Sequence, residues 1–178
     1  VVGCMNRIYN VDMRKDPKVS NVCTVRISKT FYCELVDGEC SKGATRSYER
    51  LDFRGRGAGL VIQLLNDDTV LMIYEFSGGT ERYVLGIAKG KIDAGETPIE
   101  AADRELKEEI GYGANKLTFL KTITLAPGYQ SNITHIVLAE DLYEHWEEGD
   151  GPEPLEVVAH KLSDLERLTY HEDLTEAR

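Results

Sequence analysis

A helix with complete start and stop signals occupies residues 97–111, and it constrains the fold of this chain more than any other segment. Thr97 stands at the N-cap, and Pro98 follows at the first helical position, where its missing N–H has no cost. Glu100, three residues after the cap, completes a capping box. Gly111 supplies the left-handed residue that ends the helix. The segment therefore predicts an amphipathic helix that buries one face against a folded domain.

The two faces of this helix differ in a way that stability alone does not explain. Apolar residues recur at steps of three or four and predict the buried face: Ile99, Ala102, Leu106 and Ile110. Glu105, Glu108 and Glu109 share a second face, where they repel one another and oppose the helix dipole. With the α-helical spacing of about 100° per residue, Glu105 and Glu109 lie about 40° apart. A divalent cation would resolve the conflict, although such a run taken alone is more often a solvated acidic surface.

The residues around the helix decide between these two readings. From Gly90 to Tyr112 the chain reads GKIDAGETPIEAADRELKEEIGY, which matches G-x5-E-x7-R-E-U-x-E-E-x-G-U at every fixed position. This pattern resembles the Nudix box, the signature of hydrolases that act on a nucleoside diphosphate linked to another moiety. The resemblance implies an α/β fold, the Nudix α/β/α sandwich with a mixed β-sheet.

The resemblance also implies a role for each residue of the box. The metal ligands would be Glu105, Glu108 and Glu109, with a backbone carbonyl at Lys89 or Gly90. Arg104 and Glu96 would form an ion pair that holds the loop against the helix. The cofactor would be Mg²⁺ or Mn²⁺, with two or more ions that polarise the phosphoryl oxygens and lower the pKa of the attacking water.

A proline after the box narrows the substrate class. Pro127 lies 15 residues after Tyr112, and a proline at that spacing is similar to the mark of the ADP-ribose pyrophosphatase subgroup. The resemblance implies Mg²⁺-dependent hydrolysis of ADP-containing compounds (ADP-ribose, NADH and diadenosine polyphosphates) with release of AMP. Two alternatives remain: a Nudix hydrolase of another nucleoside diphosphate derivative, and a nucleotide sensor without turnover. The intact box carboxylates disfavour the sensor.

Residues outside the box are less specific candidates. Relatives in this subgroup commonly use a further carboxylate as metal ligand or base, and Glu153 is the first candidate, with Asp150 and Glu156 as rivals. Tyr83 and Tyr129 are candidates to stack on adenine, and Pro127 would also lie at the substrate. Unplaced aromatic residues are nevertheless more often part of a core.

The chain is organised as an arm and two folded parts. We expect a loosely ordered arm at 1–20, a small N-terminal antiparallel β unit at 21–53 and the hydrolase domain at 54–178. The resemblance implies a homodimer in which the β unit crosses to the partner, and a C-terminal helix beyond Arg178. Within the folded parts, Asp37-Gly38 predicts a tight turn and residues 66–68 a hairpin turn. The acidic stretch 140–156 predicts a loop.

The net charge and the cysteines of the chain limit which partners it can bind and in which cellular compartment we expect it. The 178 residues carry a formal net charge of −10, which argues against binding nucleic acid or a membrane surface by bulk attraction. The expected partner is a small ADP-containing molecule, delivered to the carboxylates by bound cations. The sequence shows no apolar run of membrane-spanning length and no secretory signal, so the expected location is cytoplasmic. Four cysteines without metal-ligand spacing are expected to be free thiols.

Overall fold

The chain divides into two units, Val1–Phe53 and Arg54–Arg178. The computed structural model describes residues 16, 18–40, 43–53, 55–149 and 151–176. The predicted arm therefore lies largely outside the described residues, and its last residues, 18–20, belong to the first strand. Cys23, Cys33 and Cys40 are free thiols, as expected, whereas Cys4 lies outside the described part of the chain.

The first unit contains an antiparallel sheet of three strands. It consists of β1 (Lys18–Ile27), β2 (Tyr32–Glu39) and β3 (Thr45–Asp52), with β2 in the centre. The buried Glu34 of β2 pairs with Arg50 of β3 at 2.6 Å. The exposed residues of β1 include large apolar side chains: Val19, Val22, Val25 and Ile27.

The prediction of a tight turn at Asp37-Gly38 is wrong, because both residues lie inside β2. The Asp37 carboxylate accepts hydrogen bonds from the side chains of Ser47 on β3 and Asn21 on β1. These long-range partners stabilise an extended conformation that the local sequence does not reveal. The chain reverses direction after Cys40, where Gly43 takes a φ of 78° and the Cys40 amide donates to the carbonyl of Ala44.

The second unit is built on a mixed sheet of seven strands. These are β4 (Ala58–Asn66), β5 (Thr69–Ser77), β6 (Arg82–Gly86), β7 (Lys89–Lys91), β8 (Tyr112–Thr124), β9 (Ile133–Glu144) and β10 (Glu156–Lys161). The order along the sheet is β10-β5-β4-β9-β8, while β6 pairs with β5 and β7 with β4. The β4–β9 pair is parallel, and the other pairs are antiparallel. The hairpin turn at 66–68 joins β4 to β5 as predicted.

Helical segments lie on both faces of this sheet. Helix α1 (Pro98–Glu105) begins with the predicted capping box, and the following turn, Leu106–Ile110, is a wider π-helix that ends at Gly111 with a φ of 80°. A 3₁₀ turn (Leu162–Asp164) leads into α2 (Leu165–Leu168). One core cluster contains Leu106 and Ile110, and a second contains Leu168. The predicted fold class, with helices on a mixed sheet and a small antiparallel unit before it, is confirmed.

The predicted apolar face of the helix needs one correction. Ile99 is 38% exposed, whereas Ala101, which the sequence analysis did not place in the core, is fully buried. Helix α1 approaches β4 closely at Gly59, where a Cβ atom would lie 3.6 Å from the Cβ of Ala101. The small side chain of Ala101 suits this approach, and Ile99 remains outside it.

The acidic stretch 140–156 is a loop only in part. Residues 140–144 continue β9 and pair with β8, where Lys116 forms an ion pair with Glu140 at 2.6 Å. Among the described residues, the irregular part of this stretch is therefore confined to 145–149 and 151–155. In the described part of the chain, no helix is both long and apolar enough to span a membrane.

Candidate active site

Carboxylates from several elements line one cleft in the described part of the second unit. Glu105, Glu108 and Glu109 come from the end of α1 and the π-helical turn, and Glu75 comes from β5. The cleft has a volume of about 700 Å³. The wider turn also changes the angular spacing that an α-helix predicts for Glu105 and Glu109. The structure thus places the three box carboxylates around a cavity of the size that small ligands occupy.

Arg104 connects the loop before the helix with two of these carboxylates. Its Nε and Nη2 atoms donate to Glu96 at 2.8 and 3.1 Å, and its Nη1 donates to Glu105 at 2.7 Å and Glu108 at 3.2 Å. Nη2 also donates to the carbonyl of Lys91 at 3.0 Å. The Arg104 guanidinium, helped by the amide of Asp93, lowers the pKa of Glu96. The predicted Arg104–Glu96 pair is therefore part of a larger network that orients the helix against the loop.

Glu109 is held in a different environment. Burial and the carboxylates of Glu105 and Glu75 raise the pKa of Glu109 to about 8, against the lowering effect of Lys89. The backbone amide of Lys89 donates to Glu109 Oε2 at 3.2 Å. Negative charge at this position is thus only partly compensated by the protein, and an adjacent cation would favour the ionised carboxylate.

A close approach of β7 to the helix fits the pattern of the box. A Cβ atom at Gly90 would overlap the carboxylate of Glu105, so no other residue fits there without moving that side chain. Gly90 pairs with Gly59 across β4 and β7, which fixes its position relative to the helix. The glycine therefore leaves the space that the carboxylate of a candidate metal ligand occupies.

Glu75 was not predicted from the sequence as a site residue. Its carboxylate accepts a hydrogen bond from Lys89 Nζ at 2.8 Å, and Glu176 lies 3.4 Å from the same ammonium. No motif marks Glu75, because it reaches the cleft through the pairing of β5 with β6 and β4. An acidic residue within an otherwise apolar strand was the signal that could have found it.

The residues present fit a divalent cation. In the described part of the chain, no three Asp, Glu, His or Cys side chains are already arranged around one point, since Arg104 and the Lys89 amide hold the box carboxylates. The donor set nevertheless consists of hard carboxylate oxygens, which suit Mg²⁺ and Mn²⁺. The negative charges of Glu105 and Glu75, which help to raise the pKa of Glu109, are charges that a cation would compensate.

Glu153 reaches the same cleft from the segment after β9. It lines the cleft and accepts a hydrogen bond from Tyr83 Oη at 2.7 Å, which raises the pKa of that tyrosine. Glu156 lies at the start of β10 and lines a neighbouring cavity with Tyr74. Asp150 lies outside the described residues. Of the two candidates that the structure describes, Glu153 is the one that it brings to the box carboxylates.

Pro127 and Tyr129 are placed elsewhere. Both lie in the turn between β8 and β9, where the Tyr129 amide donates to the carbonyl of Ala126 at 3.0 Å. Tyr129 is exposed, and neither residue is among those that line the cleft. Their predicted contact with substrate therefore stays a prediction.

Aromatic rings also line the cleft. Tyr83 and Phe76 form an edge-to-face pair with centroids 5.7 Å apart, and Trp146 lines the cleft from the segment that follows β9. Phe76 and Trp146 were not identified from the sequence. The position of Trp146 as the single tryptophan of the chain, inside an acidic stretch, was an available signal.

Comparisons with known proteins agree with this arrangement. A family model described as the NUDIX domain matches residues 54–177. The chain is 48% identical over 162 residues to the ADP compounds hydrolase NudE of Escherichia coli (strain K12), covering 91% of this chain and 87% of that protein. It is 33% identical over 147 residues to the ADP-ribose pyrophosphatase of Bacillus subtilis (strain 168), covering 82% and 76%.

A solved structure extends the likeness to three dimensions. The crystal structure of an ADP compounds hydrolase matches with a TM-score of 0.82 and 46% sequence identity, and covers 92% of this chain and 88% of that one. The resemblance inferred from residues 90–112 is thereby confirmed. The family model spans the whole second unit up to residue 177, and all its box carboxylates are in place. The chain therefore belongs to the Nudix family and is a pyrophosphohydrolase.

Proposed function

We propose that this enzyme hydrolyses the pyrophosphate bond of ADP-containing compounds, namely ADP-ribose, NADH and diadenosine polyphosphates, and releases AMP. The observation that carries the proposal is the 48% identity, over most of both chains, to a protein named ADP compounds hydrolase. The acidic cleft supports it, because a small diphosphate with planar rings fits a cavity that combines carboxylates and aromatic walls.

Metal binding is assigned to the box. Nudix hydrolases generally need divalent metal ions, and we assign two or more Mg²⁺ (or Mn²⁺) ions to Glu105, Glu108 and Glu109. Lys89 and Gly90 would add backbone oxygen at the adjacent strand, and Glu153 is a further candidate ligand. When bound, such ions neutralise phosphoryl oxygens and lower the pKa of the attacking water.

The protein's own groups hold this arrangement. Arg104 and Glu96 fix the angle between loop and helix, which positions Glu105 and Glu108. We assign to Glu153 the role of accepting the proton of the attacking water, since it lines the cleft with the box carboxylates. The O–H of Tyr83 donates to one oxygen of Glu153 and holds the carboxylate in this orientation. Tyr83 is at the same time the aromatic candidate nearest to this proton acceptor.

The proposal is tested with a substrate panel. The protein is incubated with Mg²⁺ and ADP-ribose, NADH, diadenosine triphosphate or nucleoside triphosphates, and AMP release is followed by chromatography. Hydrolysis of the ADP-containing compounds with EDTA-sensitive AMP release is expected. If AMP appears from none of them and a nucleoside triphosphate is hydrolysed instead, the substrate assignment is wrong. If nothing is hydrolysed, the enzyme acts on none of the compounds proposed here.

The assembly and the location are part of the same proposal. We assign to the N-terminal unit, residues 21–53, a role in a homodimer, supported by the exposed apolar side chains of β1. We place the protein in the cytoplasm, where free thiols such as Cys23 and Cys33 stay reduced. Its partner is a small molecule rather than nucleic acid or membrane, in keeping with the net charge of −10.

A further inference from the structure

Trp146 is an exposed side chain held in a fixed place. Its side chain is 69% exposed and lines the cleft together with Glu105, Glu108 and Glu109. Within the described residues, its indole N–H donates no hydrogen bond and its ring stacks on no other ring. A large apolar ring left in solvent beside a cluster of carboxylates has no evident packing role.

The backbone on both sides of Trp146 is anchored to the end of the box helix. The amide of His145 donates to the carbonyl of Gly111 at 3.0 Å, and the amide of Glu147 donates to the carbonyl of Lys107 at 3.3 Å. A Cβ atom at Gly111 would lie 3.7 Å from Trp146 Cδ1, so the edge of the ring rests beside that residue. The indole is therefore positioned by the helix that carries the candidate metal ligands.

Residues of 145–149 and 151–155 line the cleft between the helix and the strands. A Cβ atom at Gly149 would lie 3.1 Å from the Cβ of Glu108, so the segment passes close to the helix there. Glu153 contacts Tyr83 on β6 through the 2.7 Å hydrogen bond. Trp146 thus stands at the helix end of the segment, and the Phe76–Tyr83 pair stands at its strand end.

All three rings are half exposed or more, at 51% for Phe76 and 50% for Tyr83 in addition to Trp146. The acidic side chains themselves do not attract an anionic substrate. The three aromatic rings therefore provide the contacts that distinguish between the organic groups of possible substrates. Every nucleobase presents a planar face that stacks on an aromatic side chain. A sugar presents no such face.

We propose that Trp146 is a specificity-determining residue that stacks on a planar base of the substrate at the helix end of the cleft. The inference rests on the proposed function and deepens it. With the Phe76–Tyr83 pair at the strand end, the cleft offers a ring at each end and favours compounds with a base on both sides of the pyrophosphate. Such compounds are dinucleotides, and ADP-ribose, with one base, gains only one of the two contacts.

A binding experiment tests the contact without catalysis. Because the chain has one tryptophan, emission excited at 295 nm reports on Trp146 alone. The unmodified protein is titrated in Mg²⁺ with AMP, nicotinamide mononucleotide and ribose 5-phosphate, none of which contains a pyrophosphate bond. We expect saturable quenching by AMP or nicotinamide mononucleotide and none by ribose 5-phosphate. Equal quenching by all three compounds, or no saturable quenching by either AMP or nicotinamide mononucleotide, would overturn the proposal.

A kinetic experiment tests the selectivity. Trp146→Ala should lower kcat/KM for NADH and diadenosine triphosphate about 10-fold, as expected for one base–aromatic stack, chiefly through KM. ADP-ribose should be affected less, and Trp146→Phe should restore most of the loss. The matched control is Tyr170→Ala, which removes a ring that is 83% exposed and does not line the cleft, and should change nothing.

The outcomes separate this inference from the proposed function. A loss in kcat with an unchanged KM, or an equal loss for dinucleotides and ADP-ribose, contradicts the stacking role and leaves the hydrolase assignment standing. If the unmodified protein hydrolyses none of these compounds, the proposed function fails, and the fluorescence titration alone decides whether Trp146 stacks on a base.

Discussion

Glu109 shows how one side chain links the stability of the domain to its chemistry. Its carboxylate is largely buried and accepts a hydrogen bond from the backbone amide of Lys89. Burial and the carboxylates of Glu105 and Glu75 raise the pKa of Glu109 to about 8. Near neutral pH the isolated chain therefore favours the protonated form, whereas a divalent cation favours the ionised form. If Glu109 binds a cation as proposed, cation binding and deprotonation of Glu109 are coupled.

The first prediction concerns the removal of this charge. Glu109→Gln should lower turnover at saturating Mg²⁺ by at least about 100-fold, because the amide cannot supply an anionic metal ligand. The fold should remain intact, as measured by circular dichroism. The glutamine side chain has the same shape as the glutamate, and its oxygen can still accept the hydrogen bond from the Lys89 backbone amide. The control is Glu166→Gln on α2, an exposed acid outside the cleft. A fully active Glu109→Gln enzyme would show that Glu109 does not bind an essential cation.

The second prediction is the pH dependence of stability. Since the native state binds the Glu109 proton more tightly than the unfolded chain does, its contribution is fully present below about pH 4.5 and is lost as pH rises through about 8. In EDTA, the free energy of unfolding should therefore contain a downward term of at most about 1.4 kcal/mol per pH unit in this window. Urea denaturation from pH 5 to 8 measures it, with Glu109→Gln as the reference. Parallel profiles for the two proteins would contradict the assignment, and stabilisation by Mg²⁺ should grow with pH.

The third prediction concerns Gly90. A methyl group at this position would overlap the Glu105 carboxylate, so Gly90→Ala must displace that side chain or β7. We expect a loss of about 1–3 kcal/mol in the free energy of unfolding and a lower kcat. Gly79→Ala is the control, because a Cβ atom there meets open space. If Gly90→Ala is as stable and active as the control, the close approach has no functional importance.

At the residue scale, the candidate site was predictable where its members belong to one continuous pattern. Glu105, Glu108 and Glu109 lie on one helix, so their spacing in sequence already places them on one side of it. Glu75 and Trp146 arrive from separate elements, and their approach depends on strand pairing and on backbone hydrogen bonds to the helix end. Such contacts are non-local, so composition can single out the two residues but does not show that they reach the same cleft.

At the scale of the elements, the box helix was the most predictable part of the chain. Thr97, Pro98 and Glu100 act on the first turn through local hydrogen bonds, and the structure shows the complete capping box. The π-helical turn after Glu105 was not predicted, because the spacing of apolar residues there is equally compatible with an α-helix. The prediction of a turn at Asp37-Gly38 failed for a similar reason. Hydrogen bonds to Asp37 from the neighbouring strands override the local preference of these residues for a turn.

The fourth prediction tests the start of this helix. Thr97→Ala removes the acceptor for the Glu100 amide and should lower the free energy of unfolding by about 1 kcal/mol. For a domain of this size the melting temperature should fall by roughly 2–4 °C. Thr97→Ser is the matched control, because serine caps equally well and should keep the stability. If Thr97→Ala melts at the same temperature as the unmodified protein, the cap contributes nothing to the stability of this domain.

For the molecule as a whole, charge and exposed surface act at different places. The net charge of −10 includes the carboxylates of the cleft, so bound cations reduce the charge of the working enzyme. The first unit instead exposes apolar side chains along β1, with Ile27 at 69% exposure. The apolar surface of this edge strand supports the dimer role proposed for the N-terminal unit.

The fifth prediction follows from this surface. Sedimentation velocity should show a dimer for the unmodified chain, and Ile27→Glu should shift it toward the monomer because a charge would be buried in the interface. Leu165→Glu, which places the same charge on an exposed apolar position of α2, should leave the dimer intact. A monomer at micromolar concentrations in the unmodified chain would contradict the role assigned to the N-terminal unit.

The π-helical turn Leu106–Ile110 has a consequence for how the length of this chain can vary. Deleting or inserting one residue there would rotate every later side chain about the helix axis and separate Glu108 and Glu109 from Glu105. Single-residue deletions at Gly78 or Gly79, in the turn between β5 and β6, shorten an exposed connection instead. This enzyme should therefore tolerate a single-residue insertion or deletion in the turn between β5 and β6 much better than one in the π-helical turn Leu106–Ile110.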